Sequence, residues 1–444
     1  MNLSGKKVLV VGLARTGRDC ARFLVEHGAR VLVTDLRSEQ ELKQELEALK
    51  EFSIEYRLGG EDAASVEGFD LVVPSPGVPQ NNVLLQAAQR REIPIVSEIE
   101  LAFRFLHAPL IAITGTNGKS TTTTLVGEIF RAAGKKVFVG GNLGTPMIDF
   151  VSEAWEWGVA EISSFQLEWV QEFRPKIAVL LNLTEDHLDR YPDFAAYCRA
   201  KENIFGAQQP EDFAVLNRED PLVWRMKERI RARVVSFGFA EVDDGVFATA
   251  TEVVRRSGST EQRFPLKKVK IQGVHNVENI MASVAVAVTA GIDRDTIQRV
   301  LETFAGLEHR LEFVREKNGV RYYNDSKGTN VGAVVKSLAS FSGPVILIAG
   351  GVDKGGSYAA LNQEVKTKVR RLVLFGAARD VIAGALGNLA ETVIVDNLEA
   401  AVRDAAAHAH PGDVVLLSPA CSSFDMFRNY AERGRAFKNL VQAL

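Results

Sequence analysis

The sequence is poor in cysteine, in net charge and in long apolar runs, and each shortage closes off a class of function. Only three cysteines occur, Cys20, Cys198 and Cys421, odd in number and too scattered for a metal-knuckle spacing. That argues for a reducing compartment and against a disulfide framework. Lys and Arg number 53 against 56 for Asp and Glu, a net charge of -3. With neither sign in excess, bulk electrostatics give no reason to expect a nucleic-acid or membrane partner. No apolar stretch reaches the roughly 18 residues of a membrane span, and no signal-peptide run precedes the first strand-like segment. Repeats and low-complexity tracts are missing as well. A cytoplasmic protein with no membrane span is expected.

What is present fits an ordinary globular chain: 46% hydrophobic and 25% charged residues over 444 positions. At about 150 residues per domain, that length suggests two or three domains. Strand and helix signals alternate throughout, which predicts parallel sheets with crossover helices. In the first part, Val8–Val11, Arg30–Thr34, Leu71–Val73 and Ile93–Val96 read as strands, with helices over Arg18–His27 and Val83–Arg90. In the middle part the strands are Leu110–Thr114, Val137–Val139, Gly158–Ile162, Ile177–Leu181 and Phe213–Leu216. A small antiparallel patch is expected over Val246–Ile271, then a helix over Val277–Ala290. The last part has strands at Val345–Ile348, Arg371–Phe375, Thr392–Val395 and Val414–Leu417. The expected boundaries give domains of residues 1–98, 99–306 and 307–444. The fold class is α/β: a Rossmann-like N-terminal domain, a central P-loop ATPase-type parallel sheet and a C-terminal Rossmann-like domain.

Two glycine patterns follow strands. Gly12-Leu13-Ala14-Arg15-Thr16-Gly17 approximates a dinucleotide fingerprint, with Ala14 where the second glycine belongs, and Asp35 ends the next strand. A tightly packed turn explains that pattern about as well. Gly115-Thr116-Asn117-Gly118-Lys119-Ser120-Thr121 is the stronger signal: backbone N–H groups of such a loop cradle phosphates, a lysine reaches the terminal ones and a hydroxyl ligates Mg²⁺. Ile113 stands where the usual first glycine would be, so the loop is a variant. Beyond it, Glu161 ends an apolar strand, where a carboxylate is costly unless it faces a cation. His187 lies in an acidic loop past another strand end, where α/β sheets place ligand groups.

Together with Glu161–Leu167, Asn182–Asp189, Gly273-Val274-His275-Asn276 and His309-Arg310, the second loop resembles the Mur ligases, ATP-dependent amino-acid ligases of peptidoglycan precursor synthesis. The likeness runs in order along the whole chain. Asn324–Asn330 and Ser418–Asp425 resemble the branch of that family which adds D-glutamate to UDP-N-acetylmuramoyl-L-alanine.

The resemblance implies an acyl phosphate formed from a substrate carboxylate and ATP, then attacked by an amino group. It implies catalytic roles for Lys119, His187, Lys201 and Lys327. Two Mg²⁺ ions are implied at Ser120, Glu161, His187 and Lys201, the last as a carbamate; the residues alone make Lys201 a solvated helix position. ATP is expected at Gly115–Thr121, Asn276, Asn279, Arg310 and Asp325. Asparagines three apart could equally cap a helix, and Asp325-Ser326-Lys327 in isolation is an exposed polar turn. The uridine substrate is expected at Thr16, Asp35, Arg37, Ser75 and Asn142. D-glutamate is expected at Thr329, Lys354, Ser423 and the backbone of Tyr430, which stands where phenylalanine is expected. A monomer is expected. The alternatives weighed are the L-alanine-adding branch (UDP-N-acetylmuramate:L-alanine ligase), folylpolyglutamate synthetase, a nicotinamide-dependent dehydrogenase and a non-catalytic nucleotide-gated binding protein. The hundred residues before Gly115 disfavour the second; the Gly115 loop, Glu161 and His187 disfavour the last two.

Overall fold

The computed structural model describes residues 1–62, 66–271 and 273–444, and they form three sheets. The first holds β1 (Lys7–Val11), β2 (Arg30–Asp35), β3 (Ile54–Leu58) and β4 (Leu71–Pro74), all parallel, in the order β3-β2-β1-β4. Val8 to Val11 are fully buried, as a strand covered on both faces must be. The expected strand over Ile93–Val96 is not one. Only Ile95 bridges to Val72, and Pro94, which has no N–H, cannot extend a ladder. β3 escapes the sequence reading because this edge strand alternates Ile54, Tyr56 and Leu58 with exposed Glu55 and Arg57, leaving no continuous apolar run.

The central sheet holds β5 (Leu110–Thr114), β6 (Val137–Gly141), β7 (Trp157–Glu161), β8 (Ile177–Leu180), β9 (Phe213–Asn217), β10 (Arg233–Gly238), β11 (Asp244–Ala248), β12 (Glu252–Ser257) and β13 (Thr260–Pro265). Their order is β13-β12-β11-β10-β9-β8-β5-β7-β6. The expected antiparallel patch is present and forms the edge of this sheet. β11 joins β10 in parallel, and only β11-β12 and β12-β13 are antiparallel. Helices Lys119–Ala132, Val274–Thr289 and Arg294–Thr303 bury Leu125, Ile129, Ile280, Val284 and Ile297 against one face. β5 lies between β7 and β8, so the chain leaves it in opposite directions and opens a crevice at its carboxyl end.

The third sheet holds β14 (Glu312–Lys317), β15 (Val320–Asn324), β16 (Val345–Gly350), β17 (Val369–Phe375), β18 (Glu391–Ile394) and β19 (Val414–Leu417), in the order β14-β15-β19-β16-β17-β18. β14 and β15 were not expected. They form a hairpin around Asn318 (φ 53°) and Gly319 (φ 76°), the Asn-Gly pair that a tight primed turn selects. That signal was readable.

The first sheet is fixed to the second through the connector. Glu100, fully buried, accepts backbone N–H groups of Gln171, Glu172 and Phe173 at 2.9–3.1 Å, and Glu98 accepts that of Ile148 at 2.8 Å. Among the described residues, no helix is long and apolar enough to cross a membrane.

The turn after β1 makes one sharp packing demand. A Cβ on Gly17 would sit 1.9 Å from the Gly12 carbonyl oxygen and 2.6 Å from Ser75 Oγ. We expect Gly17→Ala to destabilise the protein by about 1–3 kcal/mol, the cost of overpacking a tight contact. A denaturant or thermal melt checks this; an unchanged midpoint would show that the turn relaxes freely.

Candidate active site

β5 ends at Thr114, and the loop that follows turns on two glycines with positive φ, Gly115 (148°) and Gly118 (87°). Gly118 starts the helix Lys119–Ala132, and a Cβ there would meet Asn279 Oδ1 at 2.3 Å. The loop is braced from the end of β8. Asn182 Oδ1 accepts the Asn117 N–H at 2.8 Å, Asn182 Nδ2 donates to the Asn117 carbonyl at 3.1 Å, and Thr116 Oγ1 donates to the Thr184 carbonyl at 3.1 Å. Lys119 Nζ donates to the carbonyls of Gly115 and Thr116 at 2.9 and 2.8 Å. Burial depresses its pKa, against the pull of Glu161 and Asp186. Ser120 and Thr121, in the first turn of the helix, are buried.

Glu161 ends β7, 3% exposed. Asn142 Nδ2 donates to its Oε1 at 2.8 Å, while Oε2 has no hydrogen-bond partner among the described residues. Burial alone would raise its pKa, yet the nearby ammonium groups of Lys119 and Lys327 outweigh that and hold it below the ordinary range. A buried ionised oxygen without a donor fits a cation ligand.

His187 sits at φ 56°, a backbone conformation uncommon outside glycine, with its ring 4.7 Å from that of Phe165. Burial pushes its pKa down to about 4, so the imidazole is neutral and free to coordinate at neutral pH. Lys201, 1% exposed, is no solvated helix residue. Its Nζ reaches Thr114 Oγ1 at 3.3 Å and lies 4.9 Å from the Tyr197 ring centre. Desolvation, then repulsion by Lys119, holds its pKa well below the usual lysine range.

The carboxyl end of the third sheet faces this loop. Lys327 Nζ donates to Ser120 Oγ at 2.7 Å, and burial with the nearby Arg310 cation brings its pKa down to about 7. Asp325-Ser326 is a buried turn, not an exposed one. Asp325 Oδ2 accepts from Ser337 Oγ and Ser418 Oγ, both at 2.7 Å. Asn117, Gly118, Thr121, Asn276, Asn279, Arg310, Asp325 and Lys327 converge on a narrow cavity of about 40 Å³, which opens past Arg310 and Asn276 into a cleft of about 570 Å³. Asn276 and Asn279 do not cap their helix, because Gly273 does and their side chains bond each other at 3.3 Å.

Lys354 Nζ lies 3.5 Å from Asp186 Oδ1 across the seam. Ser423 is buried, and its loop is tied to that of Lys354 where the preceding Ser422 and Val352 exchange backbone hydrogen bonds at 2.9 and 3.0 Å. The Thr329 N–H donates to the Lys327 carbonyl at 2.9 Å, placing it at the same turn. The Tyr430 carbonyl accepts from Ser326 Oγ at 2.8 Å, and its ring lies 5.1 Å from Lys327 Nζ.

Thr16, Asp35, Arg37, Ser75 and Asn142 line a separate cleft of about 430 Å³ between the first two sheets. Asp35 holds the Leu13 N–H at 2.7 Å and pairs with Arg37 at 2.9 Å, while Ser75 Oγ donates to the Gly12 carbonyl at 2.7 Å. Asn142 touches both this cleft and Glu161. Sequence reasoning missed Asn182, Asp186 and Asn330. Asn330 Nδ2 bonds Asp186 Oδ2 at 3.1 Å and Asn117 Oδ1 at 3.3 Å, tying the seam together. Asp186 was readable as one of several acids around His187; the asparagines carried no signal of their own.

Three family models match the chain in sequence order: the Mur ligase MurD-like N-terminal domain over residues 6–97, the Mur ligase middle domain over 113–287 and the Mur ligase glutamate ligase domain over 309–421. Curated relatives named UDP-N-acetylmuramoylalanine--D-glutamate ligase include those of Geobacter metallireducens and Geotalea uraniireducens. Each is 53% identical, with 100% of this chain and 99% of the relative covered. Solved structures of similar fold include a pseudomurein peptide ligase type C from Methanothermus fervidus, with TM-score 0.63, 19% identity and 99% and 100% of the two chains covered. Another is a UDP-N-acetylmuramate-alanine ligase from Thermotoga maritima, with TM-score 0.59, 20% identity and 99% of each chain covered. With matches to all three of its domain models and full-length relatives at half identity, this chain belongs to the Mur ligase family.

Proposed function

We propose that the chain joins D-glutamate to UDP-N-acetylmuramoyl-L-alanine, converting ATP to ADP and phosphate through an acyl phosphate. One observation carries the reading: Lys327 of the third sheet reaches Ser120 of the phosphate loop at 2.7 Å, so two sheets close over one phosphate-binding crevice. The curated relatives that bear this activity in their names match end to end at about half identity, which supports D-glutamate over L-alanine as the amino acid. ATP binds with its phosphates on Gly115–Thr121 and its nucleoside toward Asn276, Asn279, Arg310 and Asp325. The uridine substrate lies in the cleft of Thr16, Asp35, Arg37, Ser75 and Asn142. D-glutamate is held by Lys354, Thr329, Ser423 and the backbone at Tyr430. Unpaired cysteines throughout are consistent with a cytoplasmic setting.

The chemistry requires two anions, a carboxylate and a polyphosphate, to meet. Lys119, Lys327 and Arg310 gather positive charge there, and the closed seam excludes water from a hydrolysable intermediate. The donor set suits Mg²⁺. Glu161 offers its unpartnered oxygen, Ser120 a hydroxyl and His187 a neutral imidazole. These residues, with Lys201 as a carbamate, would hold two ions, whose chemistry there is to neutralise phosphoryl oxygens. The Lys201 environment favours that modification: a buried neutral amine is the form that adds carbon dioxide, and the product is an anion where Lys119 had been repelling a cation.

Mass analysis of the product from ATP, UDP-N-acetylmuramoyl-L-alanine and D-glutamate tests the whole reading. Phosphate release should depend on D-glutamate and not on L-alanine; the reverse would move the chain to the L-alanine-adding branch. Lys201→Ala should be nearly inactive and partly restored by a short added carboxylate, which replaces the lost anion; full activity without rescue rules the carbamate out. Lys354→Ala removes a cation from an incoming carboxylate. The D-glutamate KM should rise roughly ten- to a hundredfold, the value of a charged hydrogen bond, and the ATP KM far less. Equal rises for both would make Lys354 a closure residue.

A further inference from the structure

Arg433, on the C-terminal helix Tyr430–Ala443, is completely buried. A guanidinium inside a protein needs an oxygen for each N–H, and this one finds them on three loops at once. Nε donates to Ser326 Oγ at 3.0 Å and Nη2 to the Ser326 carbonyl at 2.9 Å. Nη2 also donates to the Cys421 carbonyl at 3.1 Å, and Nη1 to the carbonyls of Ser422 and Gly350, both at 3.3 Å. All five acceptors are carbonyl or hydroxyl oxygens, so its direct bonds organise backbone, with the carboxylates of Asp425 and Asp325 acting on it only at longer range. Burial lowers its pKa to about 10, which leaves it charged at neutral pH.

Each loop it holds carries a residue of the amino-acid site. Ser326 opens the turn that carries Thr329, Gly350 opens the loop to Lys354, and Ser422 precedes Ser423. The fit is close: a Cβ on Gly351 would lie 2.0 Å from the Ser422 carbonyl oxygen and 3.1 Å from Arg433 Nη1. We propose that Arg433 is a positioning residue for amino-acid recognition, a buried fork that fixes the mutual spacing of the loops carrying Thr329, Lys354 and Ser423 by gripping their backbone. This rests on the D-glutamate reading above. A lysine keeps the charge but offers fewer donors in no fixed plane, so it cannot serve all three loops.

The test is steady-state kinetics of the full chain with Arg433→Met and Arg433→Lys, measuring KM for each of the three substrates beside the melting temperature. Arg433→Met should raise the D-glutamate KM roughly ten- to a hundredfold, with Arg433→Lys in between. The KM for the uridine substrate, set in the cleft between the first two sheets, should stay near that of the parent. If Arg433→Met does not fold, Ser326→Ala removes one of the five acceptors, and a several-fold rise in the D-glutamate KM is expected of it. A D-glutamate KM within twofold of the parent in folded Arg433→Lys and Ser326→Ala overturns the proposal. So does a parallel rise of all three KM values with loss of melting temperature, which would make Arg433 only a prop. A parent that releases no phosphate with D-glutamate sinks the functional reading and this proposal together. A parent that does, with unaltered variants, sinks this proposal alone.

Discussion

The contact between Lys327 and Ser120 is the constraint around which the rest of the molecule is arranged. It requires the carboxyl ends of two independent sheets to face each other across a few ångströms, although each sheet has its own apolar core. One hydrogen bond to a charged group contributes about 1.5–3 kcal/mol, too little to fix two domains by itself. Its neighbours across the seam are of the same kind: Asn330 with Asn117 and Asp186, Lys354 with Asp186, and Lys336 with Glu278 at 2.5 Å. A seam of polar pairs can part in water at modest cost, because each group finds a water partner, whereas an apolar seam could not. A seam built this way can part and re-form in water without exposing an apolar face.

Electrostatics within the closed seam are tuned by burial more than by pairing. Lys119, Lys201 and Lys327 all have depressed pKa values, with desolvation the leading cause in each. Glu161 and Asp186 stay ionised against the same penalty because those lysines and Lys354 surround them. A polyphosphate bound there would supply negative charge where cations already repel one another, so its binding would relieve that repulsion.

Much of this arrangement was legible in the sequence. Most buried parallel strands announced themselves as apolar runs, though β10, which begins at Arg233 and breaks at Ser236, was not read; the Gly115 loop, Glu161 and His187 were found because each follows such a run. Less legible was whatever depends on the third dimension. Lys201 looks like any helix lysine until Tyr197 and Thr114 close around it. Asp325-Ser326-Lys327 reads as a surface turn until Arg433, more than a hundred residues later, is buried against it. Asn182 and Asn330 serve through amides bonded to backbone or to another asparagine, and no composition or period marks such a residue. The edge strands β3 and β14 were missed because half-exposed strands mix apolar and charged residues. The Val246–Ile271 segment was read correctly as antiparallel; its parallel join to β10 was not read, since it is a pairing between segments that sequence periodicity does not report.

The strand order of the central sheet also bears on how the chain acquires its structure. β5 carries the phosphate loop, yet its neighbours are β7 and β8, with Ile111 paired to Val159 on one side and Ile177 on the other. Both partners come off the ribosome long after β5 does. The first sheet, complete by Pro74, can collapse while β5 is still an unpaired apolar strand with two open edges. Parallel pairings over such separations form slowly because loop closure precedes any gain from contact. The strand that leads into the Gly115 loop therefore stays unpaired on both edges until residues 157 to 180 have been made, an exposed apolar edge of the kind that invites misassociation.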